Sequence, residues 1–558
     1  MKILLHLFLS PFKSFFWIWL AIGRFQAGKK DTLFIELPFG FSISDSPFWV
    51  RLIRPKAPLP GRVPYLRTIS EVAKIPSIKT IAFYIPKLEW NLADTFEFIE
   101  VLEHLKQHGK KTIGFCESGN LQTLLLLSQL DEVAGSEFGE FQIQLPVGET
   151  FFYQGILEKF GIEIEAFASG AYKSFAESFT RKSFTKPAKE NLSTLLNAFQ
   201  NLIYETLSKN SIRKEAFFPP ILSTRELKIT GFLNEVISKK DWRKRMENKL
   251  EIKHLKKLLL DSKEFFFPSK KHKVLIIPML GGIVEGDPGE ENIYENSISK
   301  EAYANFISEI REDNSIGSIL LEIDSPGGSA LASEELYCEL QSIEKPIYAY
   351  TRSMAASGGY YLAIAGKKIF SNPISILGSI GAVLVRPNFK KAMSKNSIQT
   401  EVLIQRPLSE IFRFTEPLTK KSKDFLSKEI KRIETQFYQR VMQSRSLSPE
   451  EMDRFGGGRV FLTSTANKLI DGQMGILGAL QQIKKDLGVS KLEVETLRLQ
   501  KKFGNKLIPQ GLKFNGLLFY SLFGLPWTMV SNRSKRDSEL ELISGISRNI
   551  FGIDLSSH

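Results

Sequence analysis

Residues 316–323 read Ile-Gly-Ser-Ile-Leu-Leu-Glu-Ile, a short apolar run that is typical of a buried β-strand. A helical pattern follows over residues 332–343, and a second apolar run, Lys-Pro-Ile-Tyr-Ala-Tyr, occupies residues 345–350. Strand–helix–strand units with such short apolar strands form parallel sheets. This part of the chain therefore predicts an α/β domain.

The same order of elements occurs earlier in the chain. Residues 78–85 read Ile-Lys-Thr-Ile-Ala-Phe-Tyr-Ile, a helical pattern covers residues 94–108, and Lys-Lys-Thr-Ile-Gly-Phe follows over residues 110–115. Such self-similarity is the mark of a repeated structural unit. We therefore predict the α/β class with two tandem copies of one domain, which agrees with a length that exceeds a single ordinary core.

The duplication sets the expected domain boundaries. The first copy is predicted over residues 30–245 and the second over residues 270–488. The charged, helix-prone residues 246–269 are predicted to connect them. Residues 1–29 precede the copies, and residues 489–558 form a C-terminal extension.

Composition limits the class of protein and of partner. A hydrophobic fraction of 43% excludes global disorder, and the net charge is +14, from 75 basic and 61 acidic residues. The basic residues form no Arg/Lys array with interleaved aromatics, so we expect a membrane surface rather than nucleic acid as partner.

Cysteine and histidine usage predicts neither a disulfide framework nor a metal centre. Cys116 and Cys338 each lie in a hydrophobic segment, which favours buried free thiols. The six histidines lack a His-Glu-x-x-His pattern, so we predict no metal and no cofactor.

Two terminal segments have the composition of membrane-contacting sequence. Residues 1–23 are apolar apart from Lys2, His6, Ser10, Lys13 and Ser14, and no small-residue cleavage site follows, which predicts an uncleaved membrane anchor within residues 1–29. The apolar run 514–530 carries several aromatic residues, two glycines and a proline. It fits shallow burial in a membrane interface and, equally, docking on its own domain or on a neighbouring subunit.

The two copies differ in residues that carry chemistry. The second copy has Asp-Ser-Pro-Gly-Gly-Ser at 324–329 and Ala-Ala-Ser-Gly-Gly-Tyr at 355–360, and the first copy has neither motif. The first copy has Ala-Tyr-Lys-Ser at 171–174, where the second has approximately residues 405–409. This complementary loss predicts one active site with parts from both copies.

The residue types indicate serine–lysine chemistry. Ser357 stands at a strand-to-helix junction, which exposes a hydroxyl, although a helix N-cap is the alternative role there. A serine needs a base, and Lys173 could serve if burial depressed its pKa by ~3 units. Otherwise Lys173 would be a solvated loop residue. Gly327 and Gly328 fit an oxyanion hole made of backbone N–H groups, and also a simple turn.

As a set, these motifs resemble the signal peptide peptidase A family (peptidase family S49), in its long two-domain form, over about residues 30–488. The matching segments are 325–329, 355–360, Leu377-Gly-Ser-Ile-Gly381, Tyr172-Lys-Ser174, Gly458-Arg-Val-Phe461 and Leu469-Ile-Asp-Gly472.

The resemblance implies a fold, a mechanism and a location. The fold is a tandem ClpP/crotonase-like duplication, with Ser357 as nucleophile and Lys173 as general base. Ser379 would orient the lysine amine, and Gly358 would support the site. The family further implies a homotetramer on the periplasmic side of the bacterial inner membrane, which degrades cleaved signal peptides and other apolar peptides.

One departure from the family leaves alternatives open. Asp324 stands where the family often has asparagine, and a carboxylate near an oxyanion site opposes negative charge unless it points away or is paired. An inactive membrane scaffold of the same fold is therefore a second hypothesis. A crotonase-type acyl-CoA enzyme is a third, although such an enzyme does not need both Ser357 and Lys173.

Overall fold

The computed structural model describes residues 30–45, 59–208, 219–247, 249–252, 271–286, 297–403 and 406–497. The predicted anchor 1–29, the apolar run 514–530 and most of the predicted connector 246–269 lie outside the described residues. No helix within these described ranges combines the length and the apolar character needed to cross a bilayer.

The first copy alternates short strands with helices. Its strands are β1 (Thr32–Glu36), β2 (Thr80–Ile85), β3 (Lys111–Cys116), β4 (Gly119–Asn120), β5 (Glu132–Gly135), β6 (Glu140–Gln142), β7 (Glu163–Ala168), β8 (Ile221–Ser223), β9 (Glu235–Val236) and β10 (Leu250–Glu251). Its α-helices are α1 (Arg62–Ser70), α2 (Leu92–Gln107), α3 (Leu121–Leu127), α4 (Gln154–Lys159), α5 (Glu177–Thr180), α6 (Lys186–Ser208), α7 (Thr224–Ile229) and α8 (Lys239–Met246).

The second copy follows the same alternation. Its strands are β11 (His272–Leu280), β12 (Gly282–Val284), β13 (Ser297–Ser299), β14 (Ser318–Ser325), β15 (Ile347–Ala356), β16 (Ile369–Ser371), β17 (Ile376–Gly378), β18 (Val383–Asn388), β19 (Val460–Leu462), β20 (Gly472–Gln473) and β21 (Leu492–Thr496). Its α-helices are α9 (Lys300–Glu312), α10 (Ala330–Gln341), α11 (Gly358–Ala363), α12 (Lys390–Lys395), α13 (Lys420–Arg445), α14 (Pro449–Phe455) and α15 (Ile476–Asp486).

The strand order confirms the α/β duplication. The first-copy sheet runs β10-β1-β2-β3-β5-β9, and all of its strand pairs are parallel. In the second copy the parallel path β21-β11-β14-β15-β16-β20 repeats that order. This sheet also has β17, which pairs with β15, and β19, which pairs antiparallel with β17.

Alternation along β11 shows how the copies pack together. Val274 and Ile276 lie in a core cluster composed mainly of first-copy residues, whereas Leu275 and Ile277 lie in the core under the second-copy helices. Successive side chains of a strand point to opposite faces, so one face of the second sheet is buried against the first copy. The two copies therefore share a hydrophobic core.

The last strand of each sheet lies beyond the boundary expected for its copy. Strand β10 pairs with β1 although it begins after residue 245, and β21 pairs with β11 although it begins after residue 488. In both copies the added strand pairs with the first strand of the sheet and completes it. Strand β10 has two residues and β21 has five, which is too short for a strong sequence signal.

The two thiols are both free, but they differ in exposure. Cys116 is buried at the end of β3, whereas Cys338 is exposed. The prediction of burial is therefore wrong for Cys338. The reason is helical periodicity, since the buried face of α10 contains Leu336, Tyr337 and Leu340 and leaves Cys338 outside.

Candidate active site

Ser357 occupies a strained junction between β15 and α11. Its backbone angles are φ 53° and ψ −123°, outside the ordinary regions for a residue with a Cβ, and its side chain makes no capping bond to α11. The Ser357 N–H donates to the Gly378 carbonyl at 2.8 Å, which fixes the junction against β17. Strain held in this way presents a hydroxyl rather than capping a helix.

Lys173 reaches the second copy through a ribbon formed by both copies. Strand β7 pairs antiparallel with β18, from Glu163 opposite Asn388 to Ala168 opposite Val383. Directly after β7, the Ser169 N–H donates to the Ala382 carbonyl at 3.0 Å. The chain between β7 and the 3₁₀ turn Ser174–Ala176, here called the lysine loop (169–173), is thereby held against the second copy.

Glycines of both copies allow the lysine loop to lie close to the second copy. A Cβ at Gly458 would lie 2.6–2.7 Å from the N, Cα and Cβ atoms of Lys173, and one at Gly170 would lie 2.4–2.6 Å from Gly457. The Tyr172 N–H also donates to the Gly457 carbonyl at 3.0 Å. Contacts this close exclude side chains at both glycines, so packing between the copies determines where Lys173 lies.

The two predicted catalytic side chains meet. Lys173 Nζ lies 3.1 Å from Ser357 Oγ, although the residues are 184 positions apart in the chain. The lysine is 9% exposed, and Ser357 is half-buried. A buried amine within hydrogen-bond distance of a more accessible hydroxyl has the geometry of a base and its nucleophile.

Burial makes Lys173 capable of acting as a base. Desolvation lowers its pKa to about 7, and the negative charge of Glu434 opposes this shift. Glu434 itself is buried on α13 and is paired with Lys431 at 2.6 Å. A substantial fraction of the amine is therefore unprotonated near neutral pH.

Ser379 orients the amine. Lys173 Nζ donates to the Ser379 carbonyl at 2.7 Å and to Ser379 Oγ at 2.9 Å. Ser379 has a φ of 52°, a left-handed conformation that is uncommon for serine. Both of its oxygens thus face the same nitrogen, and Ser379 is the supporting residue nearest to the base.

The glycine turn (residues 325–329) lies against Ser357. A Cβ at Gly327, where φ is 97°, would come within 2.8 Å of Ser357 Cβ, so only glycine fits there. However, the Gly327 N–H already donates to Ser325 Oγ at 3.1 Å. The expected oxyanion pair, Gly327 and Gly328, therefore has one N–H that is engaged within the turn.

Besides the Gly327 N–H, the N–H groups of Gly328 and Gly358 could stabilise an oxyanion. In the parallel bridge between Ile283 and Gly328, the bonds of Ile283 go to Gly327 and Ser329, so the Gly328 N–H points away from β12. Gly358 is the first residue of α11, whose N-terminal N–H groups have no partner within the helix.

Asp324, the residue that departs from the family pattern, is paired. Its Oδ2 lies 3.6 Å from Arg352 Nη1. The structure thus brings together Ser357, Lys173, Ser379 and the glycine turn as the sequence predicted. Sequence reasoning missed Arg352 and Glu434, because single charged residues carry no motif signal.

Comparison with known proteins shows a similarity to one protease family. The model of peptidase family S49 matches residues 147–219 and 339–490. The first segment contains Lys173, and the second contains Ser357 and Ser379. The repeated sheet topology confirms the predicted α/β class with two tandem copies of one domain.

Curated relatives extend over much of the chain. Protease 4 of Haemophilus influenzae is 27% identical over 433 residues, which cover 72% of this chain and 69% of that protein. A chloroplastic serine protease SPPA of Arabidopsis thaliana is 25% identical over 502 residues, 86% of this chain and 69% of that protein. A putative signal peptide peptidase SppA of Enterococcus faecium is 27% identical over 260 residues, 43% of this chain and 74% of that protein.

Among solved structures, a ClpP1 mutant from Listeria monocytogenes is 15% identical and aligns with 38% of this chain and 94% of its own, with a TM-score of 0.25.

Proposed function

Since this chain matches the model of peptidase family S49 in two segments and is a serine protease, we propose that Ser357 is its nucleophile and Lys173 its general base. The observation that carries the proposal is the 3.1 Å separation of Lys173 Nζ and Ser357 Oγ around a buried amine. An acyl-CoA enzyme of the crotonase type would have no use for this pair.

The dyad acts in two half-reactions. Neutral Lys173 accepts the Ser357 hydroxyl proton as Oγ attacks the peptide carbonyl carbon. The tetrahedral intermediate collapses to an acyl-enzyme when the C–N bond breaks and the Lys173 ammonium returns its proton to the leaving amine. A water molecule, deprotonated by Lys173, then attacks the ester, and Ser357 leaves with the returned proton.

We assign the oxyanion hole to the N–H groups of Gly328 and Gly358. The Gly328 N–H points away from β12, and the Gly358 N–H has no partner within α11, whereas the Gly327 N–H is engaged with Ser325. Gly358 immediately follows the nucleophile, so its N–H lies close to any carbonyl that Oγ attacks. Loss of one such donor costs ~10²–10³ in kcat.

The proposed substrates are apolar peptides, including cleaved signal peptides. This assignment is supported by the similarity to the putative signal peptide peptidase of Enterococcus faecium and by the apolar terminal segments of the chain. We place the enzyme at the bacterial inner membrane, with its catalytic part on the periplasmic side and residues 1–29 as anchor.

The catalytic proposal is tested with a fluorophosphonate probe. The wild-type chain should be labelled at Ser357, and the Ser357→Ala chain should not be labelled. In a separate assay, unlabelled wild-type enzyme is given a synthetic signal peptide and a polar peptide of equal length. Labelling at another serine would contradict the nucleophile, whereas labelling at Ser357 with preference for the polar peptide would contradict only the substrate class.

Membrane attachment is tested by deletion. Removal of residues 1–29 should release most of the protein from bacterial membranes, with residues 514–530 retaining the remainder. Sedimentation of a chain that lacks both segments with lipid, after a salt wash, would contradict the anchor.

Assembly is the last part of the proposal. We propose a homotetramer in which each dyad forms within one chain, as the Lys173–Ser357 contact supports. Light scattering of active enzyme should give four chains. Mixed Ser357→Ala and Lys173→Ala chains should stay inactive, and regained activity would indicate that sites are shared between chains.

A further inference from the structure

The strand that leads to Ser357 has a bulge beside the glycine turn. Ile323 of β14 pairs with Thr351 and Ser325 pairs with Ala355, so Asp324 alone lies opposite three residues of β15. In the first copy, β2 and β3 pair in continuous register from Thr80 to Ile85. Bulges occur next to active sites because they redirect side chains. This bulge contains Arg352.

Arg352 joins the glycine turn to the first copy. Its Nη1 lies 3.6 Å from Asp324 Oδ2, and its Nη2 donates to Asp94 Oδ1 at 2.6 Å. Asp94 belongs to α2. The contact is largely buried, since the Asp94 side chain is 8% exposed and the Arg352 side chain is 17% exposed. The guanidinium thus bridges a first-copy helix and the residue that precedes the turn.

The surrounding cluster has more acids than bases. Four carboxylates, those of Asp94, Glu97, Glu322 and Asp324, face two guanidiniums, those of Arg62 and Arg352. Arg62 makes its hydrogen bonds to Glu97 and Glu322. Of the two guanidiniums, only that of Arg352 pairs with Asp324. Burial raises the pKa of Asp324, and the charge of Arg352 opposes this rise.

The backbone of Asp324 leads directly into the glycine turn. Its carbonyl accepts the Gly281 N–H at 3.0 Å, and the next residue, Ser325, accepts the Gly327 N–H. An unscreened carboxylate here would oppose the negative charge that develops on the substrate oxygen during attack. The same charge does little to a neutral ground-state peptide, so its effect falls on the transition state.

We propose that Arg352 is a positioning residue for peptide hydrolysis. It holds Asp324 in place and screens its charge, so that the glycine turn can stabilise an oxyanion. Asp94 of the first copy in turn holds Arg352. This inference rests on the proposed Ser357–Lys173 chemistry. It makes the first copy a contributor to the oxyanion side of the site as well as the source of the base.

The test is a mutant cycle on the full-length protein. Arg352→Gln should lower kcat roughly tenfold or more with KM changed less than about twofold, because the lost interaction acts in the transition state. Asp324→Asn in the same chain should restore most of the kcat, since the charge that needs screening is gone. Arg352→Lys, which keeps the positive charge, should retain more kcat than Arg352→Gln.

Controls separate this role from folding and from the proposed function. Arg311→Gln removes an arginine from an exposed pair with Glu339 and should leave kcat unchanged. If Arg352→Gln alone does not fold, the double variant is compared with Asp324→Asn, and equal kcat is expected. If Arg352→Gln lowers kcat tenfold in the Asp324→Asn background, or if the folded Arg352→Gln single variant has wild-type kcat, the role of Arg352 is overturned while the proposed function stands. Absence of Ser357 labelling in the wild type would overturn the proposed function and the inference with it.

Discussion

The two copies use the same strand-to-helix junction in opposite ways. In the first copy, Asn120 precedes α3 in an extended conformation, and its side chain accepts the Thr123 N–H and donates to the Leu88 carbonyl at 2.8 Å. In the second copy, Ser357 precedes α11 at a positive φ and caps nothing. A satisfied cap stabilises a helix, whereas a strained, uncapped hydroxyl is free to react.

The position of the base shows the reverse pattern. Lys173 immediately precedes the 3₁₀ turn Ser174–Ala176, and in the second copy Leu408 immediately precedes the turn Ser409–Phe412. Leu408 falls within the counterpart segment that the sequence predicted. In the proposed dyad each copy supplies one half, so we expect neither copy to be active without its partner.

The largest effect is expected from substitutions at the nucleophile and at the matching junction of the first copy. Ser357→Ala should lower kcat/KM by roughly 10⁴-fold or more, since the covalent step is lost. Asn120→Ser places a hydroxyl at the matching first-copy junction and should leave activity intact with no probe label on the new serine. Peptide hydrolysis rates and mass spectrometry of labelled protein measure both. Label on that new serine would show that the junctions are equivalent.

The next effect concerns the base. Lys173→Met and Lys173→Arg should each lose activity by roughly 10³-fold or more, because neither side chain accepts a proton near neutral pH. Adding Leu408→Lys to Lys173→Met should restore nothing, since that position belongs to the other copy. Rescue by Leu408→Lys would contradict the complementary arrangement.

The pH dependence sharpens the role of burial. With the Lys173 pKa at about 7, kcat/KM should fall about tenfold per pH unit below that value and level off above it. The charge of Glu434 raises the pKa of Lys173, so Glu434→Gln should move the acidic limb to lower pH. A limb that stays in place would show that Glu434 does not act on the amine.

A smaller loss is expected at Ser379. Ser379→Ala removes the hydroxyl that contacts Lys173 Nζ at 2.9 Å but leaves the carbonyl contact at 2.7 Å. We expect kcat to fall about 10–100-fold through poorer aim of the amine. Unchanged single-turnover kinetics would assign that orientation to the carbonyl alone.

The last expected effect is on stability rather than on activity, and it is a gain. Lys173→Met should raise the free energy of unfolding by a few kcal/mol near neutral pH, because the folded chain depresses the pKa of a buried amine. This gain should be full below pH ~7 and disappear as pH rises toward ~10.4, the pKa of the unfolded lysine. Denaturant unfolding at several pH values measures it, with exposed Lys182→Met as the control that should show no gain.

Much of the molecule was predictable from local sequence. The short apolar strands around Ile81 and Ile319 determined the α/β class and the duplication, because burial of a parallel strand imposes a pattern within a few residues. Ser357 and the glycine turn were identified by small-residue motifs, and Lys173 by the match of its segment to the family motif. The small-residue motifs report close backbone approach, which only glycine and alanine permit.

Tertiary structure decided the rest. Nothing near Lys173 in the chain indicates that Gly458 would lie against it or that burial would bring its pKa to about 7. The engagement of the Gly327 N–H and the pairing of Asp324 with Arg352 likewise depend on elements far apart in sequence. The hydrophobic pattern is a property of each strand's own sequence, whereas desolvation and charge pairing arise only when the two copies pack against each other.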